Sequence, residues 1–104
     1  MKLLTKQIEM RFAEIGSQEA LGEQAVVIAK FFTPDGGWTW YPIEFENGMF
    51  FGLVSGLEVE LGYFSLGELE KARGPMGLPI ERDLHWKERT VADVRRALSE
   101  RCPI

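Results

Sequence analysis

Positive charge is nearly missing from the middle of this chain. Between Ala25 and Glu70, Lys30 stands alone against seven acids, a balance of −6. That excludes a nucleic-acid strand as the partner of this region, because like charges repel. From Lys71 onward eight bases face five acids, so only the C-terminal third, at +3, attracts phosphate. Cysteine is as scarce: Cys102 is the only one, two residues from the end, which excludes an internal disulfide and a cysteine metal cage. Histidine also occurs once, as His85. No apolar run approaches the ~20 residues of a membrane span. The opening Met-Lys-Leu-Leu-Thr-Lys-Gln offers Leu3-Leu4 where a signal peptide needs about 7 or more apolar residues. A cytoplasmic protein without membrane association is expected.

What is present is ordinary in amount and unusual in placement. A chain of 104 residues, 45% hydrophobic and 27% charged, fits one domain, 1–104, able to bury a core. Ten of its twelve aromatic residues fall between Phe31 and Phe64. No internal repeat, low-complexity tract or linker interrupts it.

Thr5 is placed to cap a first helix, with Ile8, Phe12 and Ile15 on one face and Gly16 as its stop. Ser17 to Gln24 is polar and reads as a loop. Ala25 to Phe32 is β-branched and then aromatic, a first strand. Thr-Pro-Asp-Gly-Gly makes a turn, and Trp38 to Phe45 a second strand. Within that strand Pro42 lacks a ladder donor and predicts a bulge or an unpaired N–H. Asn47-Gly48 predicts a two-residue type I′ turn into Met49 to Val54. Ser55-Gly56 is taken as the next two-residue turn, into Leu57 to Phe64. Ser65-Leu-Gly-Glu68 is a capping box for a short helix through Lys71. Ile80 to Trp86 suggests a fifth, edge strand, and Thr90 caps a last helix carrying Val91, Val94 and Leu98. The expected fold class is α+β: a four- to five-stranded antiparallel meander with N-terminal, short middle and C-terminal helices.

The two turns imply a register. Phe45 should face Phe50 and Tyr41 should face Val54, while Val54 should face Leu57 and Phe50 should face Leu61. One side then collects Tyr41, Ile43, Phe45, Phe50, Val54, Leu57, Val59, Leu61 and Tyr63, an apolar face expected to be the core. The other side collects Trp38, Trp40, Pro42, Glu44, Phe51, Leu53, Glu58, Glu60 and Phe64, with Lys30 beside Trp40.

Several groupings on that second face have chemical potential. Glu58 and Glu60, roughly 7 Å apart along one strand, could with Glu44 hold a divalent cation or act as an acid and base. His85 with Asp83 would have to converge on them to complete a metal site. Trp38 and Trp40 near Lys30 form either a stacking platform or a cation–π arrangement. Ser65 lies at a strand-to-helix junction, but a nucleophile elbow needs glycine at position 63, which is Tyr, so a cap is the expected role. Gly74 and Gly77 faintly suggest a phosphate-gripping loop, and the intervening proline explains them as turns. Arg95, Arg96 and Arg101 on the last helix are the one route to weak nucleic-acid contact.

Longer strings carry a family resemblance: Lys2-Leu-Leu-Thr5, Lys30-Phe-Phe-Thr-Pro34, Trp38-Thr-Trp-Tyr41, Phe51-Gly-Leu-Val54, Glu60-Leu-Gly-Tyr-Phe-Ser-Leu66 and Gly77-Leu-Pro-Ile-Glu-Arg-Asp-Leu-His-Trp86. The chain resembles a bacterial domain-of-unknown-function family of small single-domain proteins carried by plasmids and integrative conjugative elements. The resemblance implies a mobile-element setting and brings no activity, cofactor or catalytic residue. The expectation is a non-catalytic accessory protein that binds a protein partner, with host defence or DNA-processing proteins as targets. Its contact face would be Lys30, Trp38, Trp40, Glu44, Glu58 and Glu60. The alternative is a small carboxylate-based enzyme or divalent-metal-binding protein.

Overall fold

A computed structural model describes residues 2–104. In chain order, α1 (Lys6–Ile15) leads through a 3-10 helix (Glu19–Gln24) to β1 (Val26–Val27), β2 (Phe31–Phe32), β3 (Thr39–Glu46), β4 (Met49–Ser55) and β5 (Val59–Ser65). Then follow α2 (Leu66–Lys71), β6 (Glu81–Arg82), β7 (Arg89–Thr90) and α3 (Val91–Ser99). The fold is α+β. Its centre is an antiparallel five-stranded sheet ordered β5-β4-β3-β2-β6, and β1 pairs separately with β7.

The helix ends lie where the sequence places them. Thr5 Oγ accepts from the Ile8 N–H at 3.2 Å, and Gly16 closes α1 at φ 69°. Ser65 Oγ accepts from the Glu68 N–H at 3.2 Å, and Thr90 Oγ1 from the Asp93 N–H at 3.1 Å. Each bond satisfies a donor that the helix itself leaves without a partner.

The central hairpin starts in the expected register and then departs from it. Asn47 and Gly48 both adopt positive φ, 51° and 78°, as a type I′ turn requires. Phe45 faces Phe50, as the turn predicts. Beyond that pair the register shifts between Pro42 and Glu44, the bulge expected from proline, so Tyr41 meets Leu53 and Trp40 meets Val54.

The next turn corrects the sequence reading more deeply. Ser55 pairs with Val59, which leaves a three-residue loop of Gly56, Leu57 and Glu58 in place of Ser55-Gly56. Val54 therefore faces Glu60 and Phe50 faces Phe64. The slip is an odd number of positions, which turns the whole strand over. Leu57, Val59, Leu61 and Tyr63 lie on the surface, Leu57 at 96% and Tyr63 at 75% exposure, while Phe64 is buried. The physical reason is the choice of inward aromatic: Phe64 packs on Phe50 at 5.4 Å with no hydroxyl to satisfy, whereas Tyr63 keeps its polar end in water.

Both sides of the sheet are covered, each by its own core. On one side Phe31, Phe50 and Phe64 pack with Leu3, Phe12 of α1 and Leu69 of α2. On the other, Tyr41, Ile43 and Leu53 pack with Ala25, Val27, Val91 and Val94. The segment read as one strand from Ala25 to Phe32 is split between two sheets. Its Val27 belongs to one core, and Ile28, Ala29 and Phe31 to the other. The β3 bulge is why: Ile28 donates to the Pro42 carbonyl at 3.0 Å where the regular ladder is broken.

Candidate functional site

Beside the β4–β5 turn, one residue before β3, Trp38 stacks on Trp40 with centroids 6.2 Å apart and planes at 22°. Trp40 is anchored in the sheet between Phe31 and Val54. The Trp38 ring then lies over Gly56, where an added Cβ would fall 2.2 Å from a ring carbon. Glycine here makes the close approach possible. Around this stack Trp38, Val54, Leu57, Glu58 and Glu60 line an open groove of about 510 Å³. Among the described residues no hydrogen bond or ion pair within the chain engages the side-chain carboxylate of Glu58 or Glu60. An aromatic ring, an exposed leucine and two unpaired carboxylates can receive a cationic, partly apolar group.

The other residues expected on this face lie elsewhere. Glu44 pairs with Phe51, on the side of the sheet opposite Glu60, and its carboxylate accepts from the Gln18 N–H at 2.9 Å. The three glutamates therefore do not converge, because the register slip carries Glu60 to the other side. Lys30 is also across the sheet from Trp40, since its neighbour Phe31 is Trp40's partner and side chains alternate. Its ammonium donates to the Ile104 main-chain oxygen at 2.7 Å, lies 4.0 Å from the Asp83 carboxylate and 5.9 Å from the Phe32 ring. With Phe32, Asp83 and His85 it lines a second groove of about 510 Å³. His85 is exposed, and its main-chain N–H donates to Asp83 Oδ1 at 2.9 Å, a local turn. Among the described residues no three His, Cys, Asp or Glu side chains come together as a metal-ligand group.

Ser65 is occupied as the α2 cap. The donors that a phosphate would seek in the loop at Gly74 to Leu78 are filled from within: Asp35 Oδ2 accepts from the N–H groups of Met76 at 2.7 Å and Leu78 at 3.3 Å. On α3, Arg95 lies 3.0 Å from Glu23 and Arg96 2.9 Å from Asp93, while Arg101 is exposed just beyond the helix. Two of the three arginines thus meet carboxylates before any phosphate arrives, and such surface pairs contribute about 0–1 kcal/mol each.

Two residues that organise the molecule escape a sequence reading. Gln18, in a segment read as a polar loop, is 2% exposed and bonds both β1 and β3. Asp35, read only as a turn residue, captures a loop some forty positions away. Nothing in local pattern marks either, since the partners are main-chain groups brought near by the fold.

Residues 3–98, most of the chain, match the family model described as protein of unknown function (DUF2958). No curated protein and no solved structure matches it.

Proposed function

Since the chain belongs to the DUF2958 family, whose description carries no activity, we propose its function from geometry: a non-catalytic interaction protein that engages a protein partner beside the β4–β5 turn of its sheet. The observation that carries this reading is the coincidence, at one groove, of exposed apolar side chains with two carboxylates free of internal partners. Leu57 and Trp38 are exposed beside Glu58 and Glu60. Contiguous exposed apolar surface rimmed by polar groups marks protein contact sites and ligand-binding grooves. The sequence resemblance supports a setting on bacterial plasmids and integrative conjugative elements. Host defence or DNA-processing proteins of the bacterial cytoplasm are then the partner class we propose.

The alternative, a divalent-metal or carboxylate-based enzyme site, keeps only Glu58 and Glu60. Melting the protein with and without Mn²⁺, Mg²⁺ or Ca²⁺ separates the two. A cation held by the native state raises the melting temperature by mass action. We expect no rise, and a Glu58→Gln, Glu60→Gln double variant at least as stable as the parent. A metal-dependent rise abolished in that variant would put the metal reading first.

A further inference from the structure

We infer that the free edge of β5 is a strand-docking site for an extended partner segment in which apolar and basic residues alternate. The inference rests on reading the chain as an interaction protein and adds the mode and chemistry of binding. β5 ends the sheet, and its ladder with β4 fixes which of its main-chain groups point outward. Leu66 donates to the Gly48 oxygen and Gly56 donates to the Glu58 oxygen, both at 3.0 Å, in the same register as the ladder between them. Hydrogen-bonded pairs alternate along an antiparallel ladder. Even-numbered residues of β5 therefore bond to β4, and Val59, Leu61 and Tyr63 turn their N–H and C=O groups to the outside. No main-chain bond beyond the strand engages those three among the described residues.

Among the described residues this edge carries a single charge, Glu60, and little else to guard it. Val59–Ser65 contains no proline, no lysine and no bulge, the devices by which exposed strands are usually blunted. The side chains of the same three residues form an exposed row, Tyr63 seated against Phe51 at 4.8 Å. A docked strand would place every second side chain on that row. Its alternate side chains would fall on the opposite side, beside exposed Glu60 and below α2, whose Glu68 and Glu70 are also exposed. From Glu44 to Glu70 the chain has six acids and no base. Charge on one side and apolar surface on the other select an alternating apolar–basic strand, the sheet-edge mode of peptide recognition. A second copy of this chain is disfavoured, because it would bring two such acidic segments together.

The probe is a synthetic peptide of alternating valine and lysine, titrated into ¹⁵N-labelled protein. Expected are saturable shifts and slowed amide exchange at Val59, Leu61 and Tyr63, with Glu60, Gly62 and Phe64 already protected in the free protein. Binding should weaken with added salt. It should be lost when lysine is replaced by glutamate, or when alternate peptide nitrogens are methylated. Leu61→Lys, at a surface position, should keep the melting temperature and weaken binding. Leu61→Pro, which removes an outward N–H and no bond to β4, should abolish it. Equal binding of the glutamate peptide would overturn the inference. So would a free protein that is already dimeric with the odd-numbered amides protected. Shifts confined to Trp38 and Leu57 would overturn the edge while leaving the interaction reading standing; an absence of any binding to either surface would count against both.

Discussion

The side-chain amide of Gln18 donates to the Ile43 carbonyl at 2.8 Å, at the point where β3 slips out of register with β4. The same amide nitrogen donates to the Val26 oxygen at 2.8 Å, and its oxygen accepts from the Val26 N–H at 2.6 Å. A bulge leaves main-chain groups without ladder partners, and buried groups of that kind must find others. Gln18 supplies them.

Gln18→Ala should therefore cost more than an ordinary loop substitution. It strands three main-chain groups, and each buried unsatisfied group costs on the order of 1–3 kcal/mol before water or relaxation compensates. A loss of about 2–4 kcal/mol is expected from urea denaturation. A midpoint unchanged from the parent would show that the bulge does not depend on this side chain.

At the hairpin tip, Gly48 holds a φ of 78° that a β-branched residue cannot adopt without strain. Gly48→Val should destabilise by on the order of 1 kcal/mol or more. Gly48→Asn, which tolerates this conformation, should lose less; equal losses in the two variants would point to packing and not to the turn.

Ser65 is expected to behave as a cap and nothing else. Ser65→Asp should retain stability, because a carboxylate can accept the Glu68 N–H, whereas Ser65→Ala should lose about 1 kcal/mol. Fluorophosphonate probes should leave the parent protein unlabelled, and mass spectrometry showing an adduct at Ser65 would contradict the cap assignment.

Alkaline stability should report on Tyr41. Burial holds its phenol above the ordinary value, with a side-chain bond to Thr39 pulling the other way. The folded state then favours the neutral form. Stability from this group is intact below about pH 10 and is lost as pH rises through the raised folded value. Comparing melting temperatures at about pH 8 and pH 11, the parent should fall further than Tyr41→Phe, which has no proton to lose. Parallel curves would assign the alkaline loss to other groups.

Much of the fold is legible from local signals because those signals are local in cause. Thr5, Ser65 and Thr90 cap helices using donors three residues away, and Asn47-Gly48 needs only its own backbone. Pro42 announces its bulge by lacking a donor. The register of β5 is not legible in this way. A loop of two residues and a loop of three both suit Ser55-Gly56-Leu57-Glu58, and the choice depends on whether Phe64 or Tyr63 reaches Phe50. That contact belongs to a core shared with Phe12 of α1 and Leu69 of α2, residues far away in the chain. The candidate site inherits the same ambiguity: Trp38, Glu58 and Glu60 do come together, but Glu44 and Lys30 fall away because one strand turned over. Gln18 and Asp35 leave no trace in sequence pattern, since a side chain that bonds distant main chain has no spacing rule to obey.

The sheet separates two cores, one of phenylalanines beneath α1 and α2, the other of Tyr41, Ile43 and Leu53 beneath α3. A partition of this kind uncouples two histories. A volume change at Phe12 can be compensated at Phe45 or Phe50 without reaching Val94, and a change at Val91 can be absorbed around Leu53 without reaching Phe64. The two sides can be repacked separately. The strand residues that serve both, with side chains alternating between them, hold the one set of positions where drift on either side is felt on the other.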